Sequence, residues 1–154
     1  MHPDLEPIAF LLGAWRGEGL GAFPTSKPFG YGEEMRFWHV GGPFLSYAQR
    51  AWAPDDETTL HSESGFWRPS GAGGIEVALA HPLGLVEVTE GTVSGTTIRL
   101  ASTLVGRTST GKPVTRLERR YELDGDALAY ELWMATDEVL LSRHLSGSLR
   151  RVSV

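Results

Sequence analysis

Turn-forming residues interrupt this sequence at short, regular intervals, and apolar and polar side chains alternate between them. Glycine occupies 19 and proline 9 of the 154 positions. In Gly30–Val40, Tyr31 and Glu33 share one strand face while Glu34 and Arg36 share the other. A period of two indicates a β-strand. About ten such segments, spaced by roughly 8–12 residues with no helical period between them, predict an all-β sandwich or barrel.

Connections of hairpin length favour an antiparallel up-and-down barrel, which removes exposed sheet edges by closing on itself. The predicted fold is therefore a single lipocalin-like domain over residues 1–154. Pro3 and Pro7 restrict the N-terminus to one short helical turn around Leu5–Leu12. One strand, Leu85–Glu90, is expected to end before Gly91. A barrel of eight or more strands has room for a small ligand, so the architecture suggests a container.

Composition excludes several classes of function. The net charge is -5, and the basic cluster Arg116, Arg119 and Arg120 is interleaved with glutamates, which disfavours nucleic-acid binding. Disulfides and thiolate metal sites are excluded because cysteine is absent. No apolar run has the length of a membrane span, and the N-terminus lacks the basic region of a signal peptide. We therefore expect a cytoplasmic protein that binds neither membrane nor nucleic acid.

Two groups of carboxylates resemble paired catalytic acids but are interpreted as solvated. Glu33 and Glu34 point to opposite faces of a strand, and Asp55-Asp56-Glu57 falls in a turn. The aromatic and sulfur-containing side chains of Tyr121, Trp133 and Met134 are assigned to the core.

The five histidines show no H-x-H or H-E-x-x-H spacing, so a closed zinc site is not expected. A haem site requires only one proximal histidine. His144 is the candidate, since Ser142, Ser146 and Gly147 would leave space for a flat macrocycle. His81 precedes a proline and is predicted to be a turn residue, and His39 is placed at the rim or surface. For His61, pocket lining and a structural role in the barrel both remain open.

The nearest approach to a sequence fingerprint is Gly13–Gly19, which reads G-x-W-x-G-x-G at the start of the first strand. Alternate glycines let a strand bend or approach another backbone closely, and Trp15 could plug one end of the barrel. Lipocalins also carry a G-x-W in this place. The motif alone therefore indicates a ligand barrel and leaves the ligand open.

Further segments follow in a fixed order and make the pattern specific. These are Phe23-Pro24-Thr25, Phe29–Glu34, Gly42-Pro43-Phe44, Leu60–Phe66, Leu79–Pro82 and Arg143-His144-Leu145. In this combination, nearly the whole chain resembles the nitrobindin family of haem-binding β-barrels.

The resemblance implies a compact ten-stranded antiparallel barrel with one ferric haem b per subunit near its mouth. His144 takes the position of the proximal iron ligand. Thr25 matches a family position near the haem, Lys112 one where a basic residue meets a propionate, and His61 one facing the haem region. The implied activity is isomerisation of peroxynitrite to nitrate, together with binding of nitric oxide. A homodimer is compatible with such a barrel.

Two other functions remain open from the residues themselves. The barrel could carry a small hydrophobic ligand without iron and without catalysis. It could also hold haem for storage or sensing of nitric oxide without turnover.

Overall fold

A computed structural model of the protein describes residues 1–153 and shows ten antiparallel strands in a single meander. Each strand pairs with its neighbours in sequence, and β1 pairs with β10, so the sheet is a closed barrel. The predicted ten-stranded antiparallel up-and-down barrel is confirmed. The strands are β1 (Gly13–Phe23), β2 (Ser26–Trp38), β3 (Leu45–Trp52), β4 (Thr59–Gly71), β5 (Gly74–His81), β6 (Leu85–Ser94), β7 (Thr97–Arg107), β8 (Val114–Asp124), β9 (Ala127–Thr136) and β10 (Ser142–Val152).

The meander gives the barrel two different ends. Since successive strands run in opposite directions, the connections that follow β1, β3, β5, β7 and β9 all lie at one end, which we call the mouth. The other four hairpin connections lie at the opposite end. That closed end also receives the N-terminal segment, because β1 begins there.

A 3-10 helix, Pro3–Leu11, covers the closed end. Leu5, Ile8 and Leu11 are fully buried, and their spacing of three residues matches the three residues per turn of a 3-10 helix. The indole N–H of Trp15 donates to the Leu11 carbonyl at 2.8 Å. The helix is longer than the one turn expected from the two prolines. Burial of three apolar side chains, about 1.5–3 kcal/mol each, outweighs the hydrogen bond that Pro7 cannot donate.

Two glycines make room for a pair of tyrosines in the barrel wall. Gly19 on β1 lies directly opposite Gly147 on β10. A Cβ atom at Gly19 would lie 2.2 Å from the Tyr31 ring, and one at Gly147 would lie 2.5 Å from the Tyr130 ring. The glycines of the first-strand motif therefore serve close packing, as their alternation predicted.

Strand β6 continues further than the sequence indicated. It runs through Gly91 to Ser94, and an added Cβ at Gly91 would lie 1.7 Å from the carbonyl oxygen of Arg99 on β7. Here glycine permits a close approach of two backbones rather than ending the strand.

One junction of the barrel is only half closed. Residues 97–101 of β7 pair with residues 118–122 of β8, at the closed end. Within residues 1–153, no ladder pair joins them nearer the mouth. The Leu117 amide there donates instead to the Ser102 hydroxyl at 3.0 Å. We call this unpaired region the β7–β8 seam.

Among the described residues, no helix is long and apolar enough to cross a membrane.

Candidate functional site

The four residues expected at the site all belong to segments at the mouth. Thr25 lies in the two-residue turn between β1 and β2, and Lys112 lies in the connection between β7 and β8; both are exposed. His61 and His144 are each the third residue of a strand that begins at the mouth, β4 and β10. The topology thus brings to one rim residues separated by up to about 120 positions in sequence.

His144 occupies an irregular position in its strand. Arg143 pairs with Trp133 and Leu145 with Leu132, so His144 is an extra residue opposite two consecutive residues of β9. A bulge of this kind interrupts the alternation of a strand, so that the extra residue can point to the other face of the sheet. Leu145, Gly147 and Leu149 face inward by alternation, and without the bulge His144 would point outward.

The His144 ring is held in one orientation by the adjoining strand. Its Nδ1 atom donates to the carbonyl oxygen of Ala22 at 2.9 Å. Because a carbonyl can only accept, Nδ1 carries the proton, and the neutral ring presents a lone pair on Nε2. Phe23 and Phe29 contact the ring edge to face, with centroids 5.3 and 6.4 Å away.

The surroundings favour the neutral form of this imidazole. Burial lowers the pKa of His144, and the nearby charges of Lys112 and His61 lower it further, against the opposing effect of the Ala22 hydrogen bond. A neutral imidazole whose second nitrogen is fixed by a backbone carbonyl is the form that coordinates a metal.

An apolar cluster lines the mouth beside His144. Leu85, Val114, Leu117 and Leu132 are buried there, and Val105, Met134 and Leu145 pack against them. This cluster gives the mouth a water-excluding wall from β6 to β10, suited to the face of a flat apolar ligand.

Charged side chains fill the barrel below the mouth. The Arg119 guanidinium donates to the carboxylate of Glu63 and to the carboxylate of Glu87. The Tyr47 hydroxyl also donates to Glu63, at 2.9 Å. All four side chains are buried. We call the set Glu63, Glu87, Arg119, His61 and His81 the polar floor. These buried side chains occupy the interior below the mouth, so a ligand bound beside His144 would lie above them.

Arg119 keeps the two carboxylates of the polar floor ionised. Burial alone would raise the pKa of Glu63, but the Arg119 charge and the two neighbouring imidazoles hold it well below its usual range. Burial likewise raises the pKa of Glu87, and Arg119 together with the His81 hydrogen bond reverses the shift.

His81 is not a turn residue, contrary to the prediction. It ends strand β5, and its side chain is only 5% exposed. Its Nε2 donates to Glu87 Oε1 at 2.7 Å. Strand β5 includes His81 and ends just before Pro82, one residue later than expected. The His81 imidazole therefore still follows the alternation of the strand and faces inward. His39 is exposed near the closed end, as predicted for a surface histidine.

The interpretation of Glu33 and Glu34 as solvated is wrong. Glu33 faces the interior, where it accepts from Tyr130 at 2.6 Å and from Gln49 at 2.7 Å. Burial raises its pKa to about 7, against the lowering effect of those two hydrogen bonds. Glu34 faces outward but is covered by Arg36, Arg50 and Arg16 from two neighbouring strands and its own. The turn residues Asp55, Asp56 and Glu57 are exposed, as expected.

Sequence reasoning missed Glu63, Glu87 and Arg119, although alternation carried a signal for one of them. Arg119 shares a strand face with the apolar Leu117 and with Tyr121, which was assigned to the core from the sequence. A lone arginine on an inward face requires buried acidic partners. The partners themselves lie on β4 and β6 and could not be read from local spacing.

These features fit a haem at the mouth. His144 offers a free Nε2 atom fixed by Ala22, the phenylalanines and the apolar cluster offer flat apolar walls, and Lys112 offers a cation on the rim. A b-type haem needs one axial nitrogen, apolar surroundings and charge partners for its propionates.

Comparison with known proteins agrees with this chemistry. Residues 4–151 match the model of the THAP4-like, heme-binding beta-barrel domain. The chain is 45% identical to "Peroxynitrite isomerase 2" of Mycobacterium ulcerans, covering 99% of this chain and 98% of that protein. It is 43% identical to "Peroxynitrite isomerase" of Nocardia farcinica, covering 98% and 92%.

A solved structure is also closely similar. The crystal structure of Rv2717c from M. tuberculosis superposes with a TM-score of 0.93 at 42% identity and covers 99% of both chains. The predicted resemblance to the nitrobindin family of haem-binding β-barrels is thereby confirmed. From the match over nearly its full length, the chain belongs to the family of THAP4-like, haem-binding β-barrel domains.

Proposed function

We propose that this chain binds one ferric haem b at the mouth, isomerises peroxynitrite to nitrate there and binds nitric oxide. The observation that carries the proposal is the His144 ring, whose Nδ1 is fixed on the Ala22 carbonyl so that Nε2 is free to bind iron. The names of the relatives and the family match support the same activity. A bound ferric haem would supply the redox-active iron on which the atoms of peroxynitrite rearrange.

The residues of the chain have distinct tasks in this proposal. His144 would ligate the iron of the cofactor, and the Ala22 carbonyl keeps the His144 ring oriented for this. Phe23, Phe29 and the apolar cluster exclude water, which limits escape and hydrolysis of reactive species. Lys112 pairs with a propionate and adds positive charge to a rim that an anionic substrate must approach.

Thr25 and His61 complete the set. Thr25 is exposed on the turn that follows the strand carrying Ala22 and Phe23, so its hydroxyl is available to a propionate. The His61 side chain is 24% exposed at the top of the polar floor, where it can line the pocket. A non-covalent haem fits the absence of cysteine, which excludes thioether attachment.

Hemin titration of the purified protein tests the proximal role. We expect wild type to develop a Soret band at one equivalent, and His144→Ala to lose haem affinity by about 100-fold or more. His39→Ala, which removes an exposed histidine near the closed end, is the matched control and should titrate like wild type. A His144→Ala protein that keeps full haem loading and full nitrate yield would refute the assignment.

The same experiment separates the other functions. A protein that refuses hemin would be a carrier of another apolar ligand. A haem-loaded protein that gives no nitrate above the buffer rate in rapid mixing would instead store or sense nitric oxide. We further propose a cytoplasmic location and a homodimer, for which fractionation and the mass in solution are the tests.

A further inference from the structure

Three ligand atoms of the polar floor converge on one point, and of the three residues only His61 also has a part in the haem proposal. His61 Nε2 lies 3.1 Å from Glu63 Oε1 and 3.3 Å from His81 Nδ1. His81 Nδ1 lies 3.8 Å from Glu63 Oε1. Two imidazole nitrogens and a carboxylate oxygen thus form a small triangle inside the barrel.

The triangle has the size of one face of a tetrahedral metal site. Zinc binds nitrogen and oxygen ligands at about 2.0–2.1 Å, so neighbouring ligand atoms of a tetrahedron lie about 3.3–3.4 Å apart. The observed separations of 3.1, 3.3 and 3.8 Å bracket this value. Small shifts of the side chains would bring all three atoms to bonding distance.

The surrounding residues orient the triangle for a cation. His81 Nε2 donates to the buried Glu87 carboxylate at 2.7 Å, so the lone pair of the neutral His81 ring lies on Nδ1, inside the triangle. A ligating histidine whose other nitrogen donates to a carboxylate is the usual support of a zinc site. Arg119 positions both carboxylates: it donates to Glu63 Oε2 at 2.8 Å and to Glu63 Oε1 at 3.3 Å, and it also donates to Glu87 Oε1.

Charge and access also suit a divalent ion. Glu63 and Glu87 carry two negative charges against the one positive charge of Arg119, which leaves the buried group net negative. The His81 and Glu63 side chains are 5% exposed, whereas His61 is 24% exposed and provides an opening toward the mouth. Three protein ligands leave a fourth position for water.

We propose that His61, Glu63 and His81 bind a divalent transition-metal ion, with Zn²⁺ the best match to this mixed nitrogen and oxygen set. This site is distinct from the His144 position and does not depend on haem. The chemistry selects the class of ion, since two imidazoles and one carboxylate suit zinc and its neighbours better than Mg²⁺ or Ca²⁺.

Titration of haem-free, chelator-treated protein with zinc sulfate alone tests the proposal by calorimetry. We expect one Zn²⁺ per chain, and Co²⁺ in its place should give the intense visible absorption of a tetrahedral site. His81→Gln removes a ligand and should weaken zinc binding by about 100-fold, whereas Glu87→Gln, which removes only its support, should weaken it by about 10-fold. His39→Gln is the matched control and should bind like wild type.

Circular dichroism and thermal melts establish that each variant folds. If His81→Gln fails to fold, His61→Gln removes a ligand at a partly exposed position and serves instead. Zinc affinity unchanged in the folded ligand variant, affinity lost in His39→Gln, or no stoichiometric binding to wild type would each overturn the proposal. His144→Ala should lose haem while keeping zinc, so failure of the haem function and failure of this site are distinguishable.

Discussion

Arg119 is a buried cation in the interior of this barrel. It is the cation that Glu63 and Glu87 share in the interior. Removal of one partner from a buried ion pair leaves uncompensated charge and costs about 3–5 kcal/mol. We expect Arg119→Met to lose stability of this order in urea unfolding. Arg116→Met, on the exposed face of the same strand, should change it by less than about 1 kcal/mol; equal losses would contradict the account.

Glu33 makes stability depend on pH in the direction opposite to an ordinary ion pair. Its pKa is raised from 4.5 to about 7 in the folded protein, so the folded state keeps a proton that the unfolded state has lost. Its contribution to stability therefore falls as pH rises from about 4.5 to about 7 and is fully lost above that range, a cost of roughly 3 kcal/mol.

Urea unfolding of wild type and Glu33→Gln at about pH 5 and about pH 8 measures this cost. The variant should gain stability relative to wild type at the higher pH, because it has no carboxyl to ionise. Glu18→Gln, an exposed change on the neighbouring strand, is the control. Its stability relative to wild type should be nearly the same at both pH values. If wild type instead became more stable relative to Glu33→Gln as pH rises, the assignment of a raised pKa to Glu33 would be wrong.

At the scale of the elements, the β1–β10 pair depends on two facing glycines. Gly147→Ala would place a Cβ 2.5 Å from the Tyr130 ring and displace the tyrosine that donates to Glu33. Overpacking of this kind costs about 1–3 kcal/mol. The exposed neighbour Ser148→Ala tests whether the loss is specific. In thermal unfolding, Gly147→Ala should melt at a lower temperature than Ser148→Ala. An unchanged melting temperature for Gly147→Ala would show that the Tyr130 ring can move aside without cost.

Alternation predicted the elements well because it reports directly which face of a strand is apolar. It placed Tyr31 and Glu33 on one strand face, and in the structure both are buried on the interior face of β2. It could not predict the bulge at His144, since one extra residue in β10 shows only in the register against β9. The nine-residue helix was underestimated although Leu5, Ile8 and Leu11 carried its period of three.

The candidate site was predicted only in part, for a physical reason. Resemblance to a family pointed to His144, Thr25, Lys112 and His61, and the strands and connections that carry them meet at the mouth. Their individual roles remain predictions. The polar floor depends on partners far apart in sequence, such as Glu63 and Arg119, and no local pattern shows that an inward carboxylate will be paired rather than solvated.

For the whole molecule, the arrangement of hydrogen bonds predicts where the barrel opens. Strands β1 and β10 are paired along eight consecutive positions from Ala14 to Gly21, whereas β7 and β8 are paired only over five. We expect amides of β7 and β8 that face each other at the β7–β8 seam to exchange with deuterium at least about 10-fold faster than those of the β1–β10 ladder. Equal protection in the two places would show that the seam is closed in solution.

We expect the β7–β8 seam to control how fast a ligand enters and leaves, and His144 to control how tightly the ligand is held. We expect a rigid macrocycle to pass the rim while β7 and β8 spread, with no backbone hydrogen bond broken in the other nine junctions. Cross-linking the two strands beside Ser102 and Leu117 should then slow uptake and release together and leave the equilibrium constant nearly unchanged. Substitution of His144 should do the reverse, shortening the residence time with little effect on the association rate.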